Sequence, residues 1–268
     1  MYSKYLIQSV SALIMSASLI ACSAQNQSET SMAGAVNPSI WPVAQSPVGL
    51  DPVIEEEITS LMEGMTLRHK VGQVIQGDIG SLTPEDLKVY PLGSVLNGGN
   101  SAPNGDNRSP ASEWIKLADE FYEASKHAYG EGVPFIPLIW GTDAVHGHNN
   151  VPGATVFPHN IGLGATRNPS LMGKIGEITA KEIRVGGQEW TFAPTIAVVR
   201  DDRWGRTYEG YSENPDVTAS YAGELIKGIQ GEPGSENWLK GNNVIATAKH
   251  FLGDGGTTLG IDQGDNAD

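Results

Sequence analysis

Three short segments hold most of the side chains able to do chemistry. The first is Gly141-Thr142-Asp143-Ala144-Val145-His146-Gly147-His148-Asn149-Asn150. The second runs from Arg200 to Pro215 and carries Arg203, Trp204, Arg206, Tyr208, Glu209 and Glu213. The third is Ala248-Lys249-His250-Phe251-Leu252-Gly253-Asp254-Gly255-Gly256. A carboxylate such as Asp143 accepts from two neighbouring hydroxyls, Arg206 and Lys249 donate through charge-assisted bonds, and His250 supplies a further donor. That set suits a ligand with vicinal hydroxyls, such as a pyranose. Trp140, Trp190 and Trp204 lie beside these segments, and a Trp face can stack on the apolar face of a sugar ring. Core packing is the preferred reading for Trp140 and Trp190, while Trp204, inside a polar loop, is open to either role.

Taken singly, each polar residue also has a structural explanation. Asp143 serves as a turn cap, Arg206 pairs with Glu209, or His250 is a satisfied core histidine. Their places in the chain favour a shared site. Val244-Ile245-Ala246-Thr247-Ala248 is a short β-prone run, so Lys249 and His250 fall where a strand meets its loop. Phe135-Ile136-Pro137-Leu138-Ile139-Trp140 reads as a strand apolar on both faces, as buried parallel strands are, and Asp143 follows it. Trp190 to Val199 reads as extended, and the Arg206 segment follows that.

Helical periodicity separates these strands. Ile54, Ile58, Leu61 and Met62 recur at three- and four-residue spacing in a helix over 51–65, with Pro52 in its first turn. Further helices are expected over 111–129, 169–186 and 215–230, and further short strands at Val71–Ile75 and Gly93–Leu96. Strand and helix alternate, and each strand ends in a polar, Gly-bearing loop. The fold class is therefore α/β, the N-terminal part of a (β/α)8 barrel, since sites in that fold draw on several successive strand ends. About five strands are visible against the eight that a closed barrel needs. A smaller doubly wound domain closes with five strands, but has no need of polar clusters on successive strand ends.

The composition fits an exported, acidic protein. The 268 residues carry 17 Lys and Arg against 31 Asp and Glu, a net charge of −14, which opposes binding to nucleic acid. Residues 1–22 read as an export signal, with Lys4 as its basic start and an apolar stretch from Val10 to Ile20. It closes on Leu19-Ile20-Ala21-Cys22, which resembles a bacterial lipobox, and Cys22 is the only cysteine. The favoured reading is a lipid-modified Cys22; the other is an ordinary signal cleaved after Ala24. Ser23 resembles the outer-membrane sorting pattern. The expected location is therefore outer-membrane-anchored or periplasmic in a Gram-negative-type cell, with secretion as the alternative. Residues 23–50, rich in Ser, Gln, Asn, Ala and Pro, read as a flexible tether, with a folded domain over 51–268.

The three segments, together with Phe157-Pro158-His159-Asn160 after His146-Gly147-His148-Asn149-Asn150, resemble glycoside hydrolase family 3, the β-glucosidases and exo-β-glucanases. They are especially similar to the exo-1,3/1,4-β-glucan glucohydrolase branch, from about residue 50 onward. The resemblance implies an exo-acting, retaining β-glucosidase without metal or organic cofactor, its ligands β-glucan oligosaccharides or β-glucosides. It implies that Asp143, Arg206, Lys249 and His250 hold sugar hydroxyls in the innermost subsite, and that the Lys249–His250 peptide is cis. It also implies an aspartate nucleophile in a Ser-Asp-Trp type motif and an acid/base glutamate from a second domain. No Ser-Asp-Trp occurs in this chain, so both are expected beyond Asp268, no catalytic residue lies within the chain, and the chain alone is expected to be inactive. Asp254 and Glu213 match non-catalytic family positions. Where the glucanase branch often has Asn-Glu-Asn, this chain has Asp262-Gln263-Gly264-Asp265-Asn266.

Two other readings remain at this stage. A metal-dependent hydrolase would use His146 and His148, which have the spacing of a metal-binding pair, with Asp143 or Lys249 completing the set. A non-catalytic sugar-binding lipoprotein would use the same clamp without bond cleavage.

Overall fold

The computed structural model describes residue 46, residues 49–98 and residues 100–266. Cys22, the 1–22 leader and nearly all of the 23–50 tether lie outside the described residues. Five parallel strands form one sheet: β1 (Gln76–Asp78), β2 (Ser94–Asn97), β3 (Ile139–Thr142), β4 (Trp190–Thr191) and β5 (Ile245–Ala246). Their spatial order is the chain order, β1-β2-β3-β4-β5. A doubly wound sheet reverses its order at a switch point, whereas a β/α barrel adds each strand beside the last. The order seen here is that of the first five strands of a barrel.

Helices connect the strands. In chain order they are α1 (Pro52–Gly64), α2 (Leu67–Gln73), α3 (Pro84–Leu87), α4 (Ala111–Ser125), α5 (Asn160–Ala165), α6 (Ser170–Val185) and α7 (Pro215–Gln230). Local chemistry starts several of them. Asp51 Oδ1 accepts from the Val53 N–H ahead of α1, and Asn214 Oδ1 accepts from Asp216 N–H ahead of α7; both helices begin on proline.

Three local expectations are corrected. Residues 71–75 are largely helical, because Thr66 caps α2 by accepting from the His69 N–H, and the strand begins only at Gln76. The β-branched valines there suggested a strand, but Val71 and Val74 face solvent and pack no sheet. The third strand is Ile139–Thr142 rather than 135–140, since Pro137 has no N–H to give a ladder. Regular pairing in the fourth covers only Trp190–Thr191, with Pro194 interrupting it. Helix α1 forms where expected, yet none of its residues is buried, and its Ile54, Ile58 and Met62 face outward.

Two apolar clusters carry the domain. One packs α6 and α7 through Met172, Ile175, Ile183, Tyr221, Leu225 and Ile229. The other joins α4 to β2 and β3 through Leu87, Val95, Trp114, Phe121 and Trp140. Each such fully buried side chain contributes roughly 1.5–3 kcal/mol. Where α6 crosses α7 the backbones touch: a Cβ at Gly176 would lie 2.7 Å from the Leu225 carbonyl oxygen and 2.9 Å from Gly228 Cα.

Polar side chains form a further buried layer. Asn97 Oδ1 accepts from Trp140 Nε1 at 2.9 Å and from Gln188 Nε2 at 2.8 Å, while Asn97 Nδ2 donates to Thr142 Oγ1 at 2.9 Å. This ties β2, β3 and the lead-in to β4 together just below the strand ends that bear the site.

Candidate functional site

The strand ends deliver the residues in register. Asp143 directly follows β3, and Arg206 and Glu209 lie in the loop after β4. Beyond β5 the ladder continues irregularly: Thr247 N–H donates to Ala193 O, Lys249 N–H to Pro194 O, and Ile196 N–H to Lys249 O, at 2.8–2.9 Å. Those bonds carry Lys249 to the same end of the sheet as Asp143. The Lys249–His250 peptide is cis.

Asp143, Arg206 and Lys249 line one cavity of about 260 Å³, together with His146, Asn149, His159, Tyr208 and Glu209. Lys249 Nζ donates to Asp143 Oδ1 at 2.7 Å. The lysine is largely covered and the carboxylate more open, at 14% and 37% side-chain exposure, so Asp143 keeps accepting capacity toward the cavity. His250 lines the adjoining hollow of about 640 Å³, beside the loop Gly253–Gly256. Three of the four expected residues thus share a cavity, and the fourth touches it through Arg206.

The arginine and histidine bonds define the protonation pattern. Arg206 Nε donates to Glu209 Oε1 at 2.7 Å, and Nη2 donates to Glu209 Oε2 at 3.0 Å and to His250 Nε2 at 3.0 Å. Three of the five guanidinium N–H groups are used, and the two on Nη1 are not committed among these bonds. The pairing with Glu209 and a place in the cavity are both realised. His250 Nδ1 lies 2.6 Å from Asp254 Oδ2. A carboxylate only accepts and a guanidinium only donates, so Nδ1 carries the imidazole proton and Nε2 is the acceptor. The expectation that His250 adds a donor is therefore corrected: its proton is spent on Asp254.

Glu209 enters the sequence reading only as a partner of Arg206, three residues away. It is buried, and it turns inward on a short 3-10 turn at Thr207–Glu209. Burial alone would raise its carboxyl, but the Arg206 hydrogen bond and the charges of Arg206 and Lys249 outweigh that and hold it below the usual carboxylate range. Its backbone carbonyl accepts from the buried Asn160 Nδ2 at 2.8 Å. The cavity's aromatic side is likewise not anticipated: His159 lies over His146 with ring centroids 3.8 Å apart and meets Tyr208 edge-on at 4.6 Å. Burial, then the neighbouring His146, pushes the His159 imidazole down, opposed by Glu209.

Trp204 is not available for stacking. It is buried, and its Nε1 donates to Asp262 Oδ1 at 2.8 Å. Trp140 is buried in the core as preferred, and Trp190 is half-buried with its Nε1 donating to Thr247 Oγ1.

The two histidines of the metal reading do not meet. His146 Nδ1 donates to the Phe157 carbonyl at 2.6 Å on the cavity side. His148 is wholly buried on the other side, edge-on to Trp114. Among the described residues no group of three or more His, Cys, Asp or Glu is placed to hold a metal ion.

The C-terminal ends of successive barrel strands thus gather carboxylate, guanidinium and ammonium groups around one cavity, at the face where sites of a β/α frame lie. Comparison with known proteins makes the class specific. Residues 66–266 match the glycosyl hydrolase family 3 N terminal domain, and the chain belongs to that family. It is 33% identical over 222 residues to the lysosomal beta glucosidase of Dictyostelium discoideum, covering 77% of this chain and 27% of the relative. It is 28% identical over 199 residues to the periplasmic beta-glucosidase of Salmonella typhimurium, covering 72% and 23%. The solved exo-1,3/1,4-beta-glucanase of a Pseudoalteromonas species superposes with a TM-score of 0.80 at 55% identity, covering 84% of this chain and 28% of that one. The chain thus spans about a quarter of the length of these relatives.

Proposed function

We propose that the chain carries the glucose-holding part of an exo-acting, retaining β-glucosidase or glucan 1,3(1,4)-β-glucosidase. The observation that carries this reading is the convergence of Asp143, Lys249 and Arg206 from three strand ends on one cavity. Asp143 accepts from sugar hydroxyls, and Lys249 and the Nη1 group of Arg206 donate to them. His250 braces Arg206 from behind. The lysosomal and periplasmic β-glucosidase relatives and the exo-1,3/1,4-β-glucanase neighbour support β-glucosides and β-glucan oligosaccharides as ligands.

Retaining hydrolysis needs two carboxyls about 5–5.5 Å apart, a nucleophile and an acid/base. In this reading neither is among the residues of the cavity. Asp143 and Glu209 are each held by a cation, and both serve binding. Turnover then needs a nucleophilic aspartate and an acid/base glutamate from the further length that the relatives possess, and no metal or organic cofactor. The chain alone is expected to bind glucose and leave an aryl β-glucoside intact. Asp143→Ala and Arg206→Ala should each abolish detectable glucose binding by calorimetry, while circular dichroism stays unchanged. Undiminished binding in either variant refutes the assignment.

We further propose that the protein is exported, outer-membrane-anchored by a lipid on Cys22 or periplasmic, with secretion as the alternative; a periplasmic relative is consistent with export. A palmitate analogue should label the wild type and spare Cys22→Ala. Equal labelling of both excludes the anchor.

A further inference from the structure

We infer that Asp254 is a positioning residue that sets the orientation of Arg206 at the sugar cavity by fixing the tautomer of His250. This deepens the glucose-holding reading and rests on it for the sugar, though not for the geometry. Asp254 lies in the Gly253–Gly256 turn outside the cavity that holds Asp143, Lys249 and Arg206. Its side chain is largely covered, at 16% exposure, and its Oδ2 lies 2.6 Å from His250 Nδ1. That contact draws the imidazole proton to Nδ1 and leaves Nε2 as a bare acceptor. The lone pair on Nε2 receives the Arg206 Nη2–H at 3.0 Å.

With the other tautomer, an N–H on Nε2 would face the N–H of a cation. The contact would then be repulsive, and Arg206 would be held only by Glu209. The fork to Glu209 fixes one edge of the guanidinium, and His250 fixes the second proton of Nη2. Together they leave Nη1 as the group that faces a ligand. The Asp254 carboxylate thus acts three hydrogen bonds away from the sugar, through His250 and then Arg206, without touching it.

The test is nitrogen-15 NMR of the histidine rings in the full chain, with the His250 signals assigned by their loss in His250→Gln. The wild type should carry the proton on Nδ1. In Asp254→Leu no side-chain acceptor remains at Nδ1, and the tautomer with the proton on Nε2 should become populated; Asp254→Asn, whose Oδ1 still accepts, should keep it on Nδ1. The Arg206 Nε–H resonance should shift in Asp254→Leu and stay near its wild-type position in Asp254→Asn. Glucose affinity should fall roughly tenfold or more in Asp254→Leu, the scale of a charge-assisted hydrogen bond. A wild-type proton on Nε2 overturns the inference. So does a folded Asp254→Leu variant in which the proton, the Arg206 resonance or the glucose affinity is unchanged. If the wild type binds no glucose, the sugar reading fails, while the tautomer and the Arg206 resonance still decide the role of Asp254.

Discussion

Lowering the pH should destabilise this domain through His148, by an amount the structure sets. The imidazole is wholly buried, edge-on to Trp114 and beside Gln188. Burial pushes its pKa down to about 4, only partly offset by the neighbouring Gln188. The unfolded chain protonates this histidine near 6.5. The neutral form is the one that folds, so the contribution is complete above 6.5 and is lost as the pH falls from there toward 4. A fall from 6.5 to about 4 corresponds to about 3 kcal/mol in total, of which about 2 kcal/mol disappears between pH 7 and pH 5. The assay is urea unfolding of the full chain and of His148→Gln at both values. The glutamine variant carries a fixed packing cost but no titrating ring, so its stability should fall by about 2 kcal/mol less between pH 7 and pH 5. Parallel losses in the two proteins would refute the reasoning, because carboxylates elsewhere titrate alike in both.

Three further outcomes follow from the packing and the charge network. Gly176→Ala forces a methyl against the Leu225 carbonyl at the α6–α7 crossing and should destabilise by roughly 1–3 kcal/mol, read as a lower urea midpoint with unchanged slope. Asn97→Ala strips the acceptor from two buried donors, Trp140 Nε1 and Gln188 Nε2, and should cost roughly 2–5 kcal/mol by the same measurement. Glu209 has a depressed carboxyl, so its stabilising contribution is present above the unfolded value near 4.5 and is lost as the pH falls through the lower folded value. Glu209→Gln should therefore flatten acid unfolding below about pH 4.5 in a titration followed by circular dichroism.

That Asp143, Arg206 and Lys249 share a cavity was readable because a parallel α/β chain gathers its polar loops at the C-terminal ends of strands, and these residues lie in the connections that follow β3, β4 and β5. Alternation of strand and helix gave the fold class for the same reason. What escaped the sequence depends on contacts between loops. Asp254 stands in the sequence only as a match to a non-catalytic family position, until the Gly-rich loop brings it to Nδ1 of His250. His159 and Tyr208 belong to different connections and meet only over His146. His146 and His148 share a metal-like spacing, but the left-handed turn at Gly147 between them sends the two rings to different sides, and only the fold decides which side is core. Val71–Ile75 shows the reverse case: a strand-like composition yields to the Thr66 cap of α2.

The central claim is that three strand ends form one glucose-binding cavity. A crystal structure of the chain grown with glucose tests it most directly. The account predicts a sugar in the cavity with hydroxyl oxygens within hydrogen-bond distance of Asp143, Lys249 and the Nη1 group of Arg206. Glucose bound elsewhere, or in the cavity without contact to Asp143 and Arg206, would contradict it.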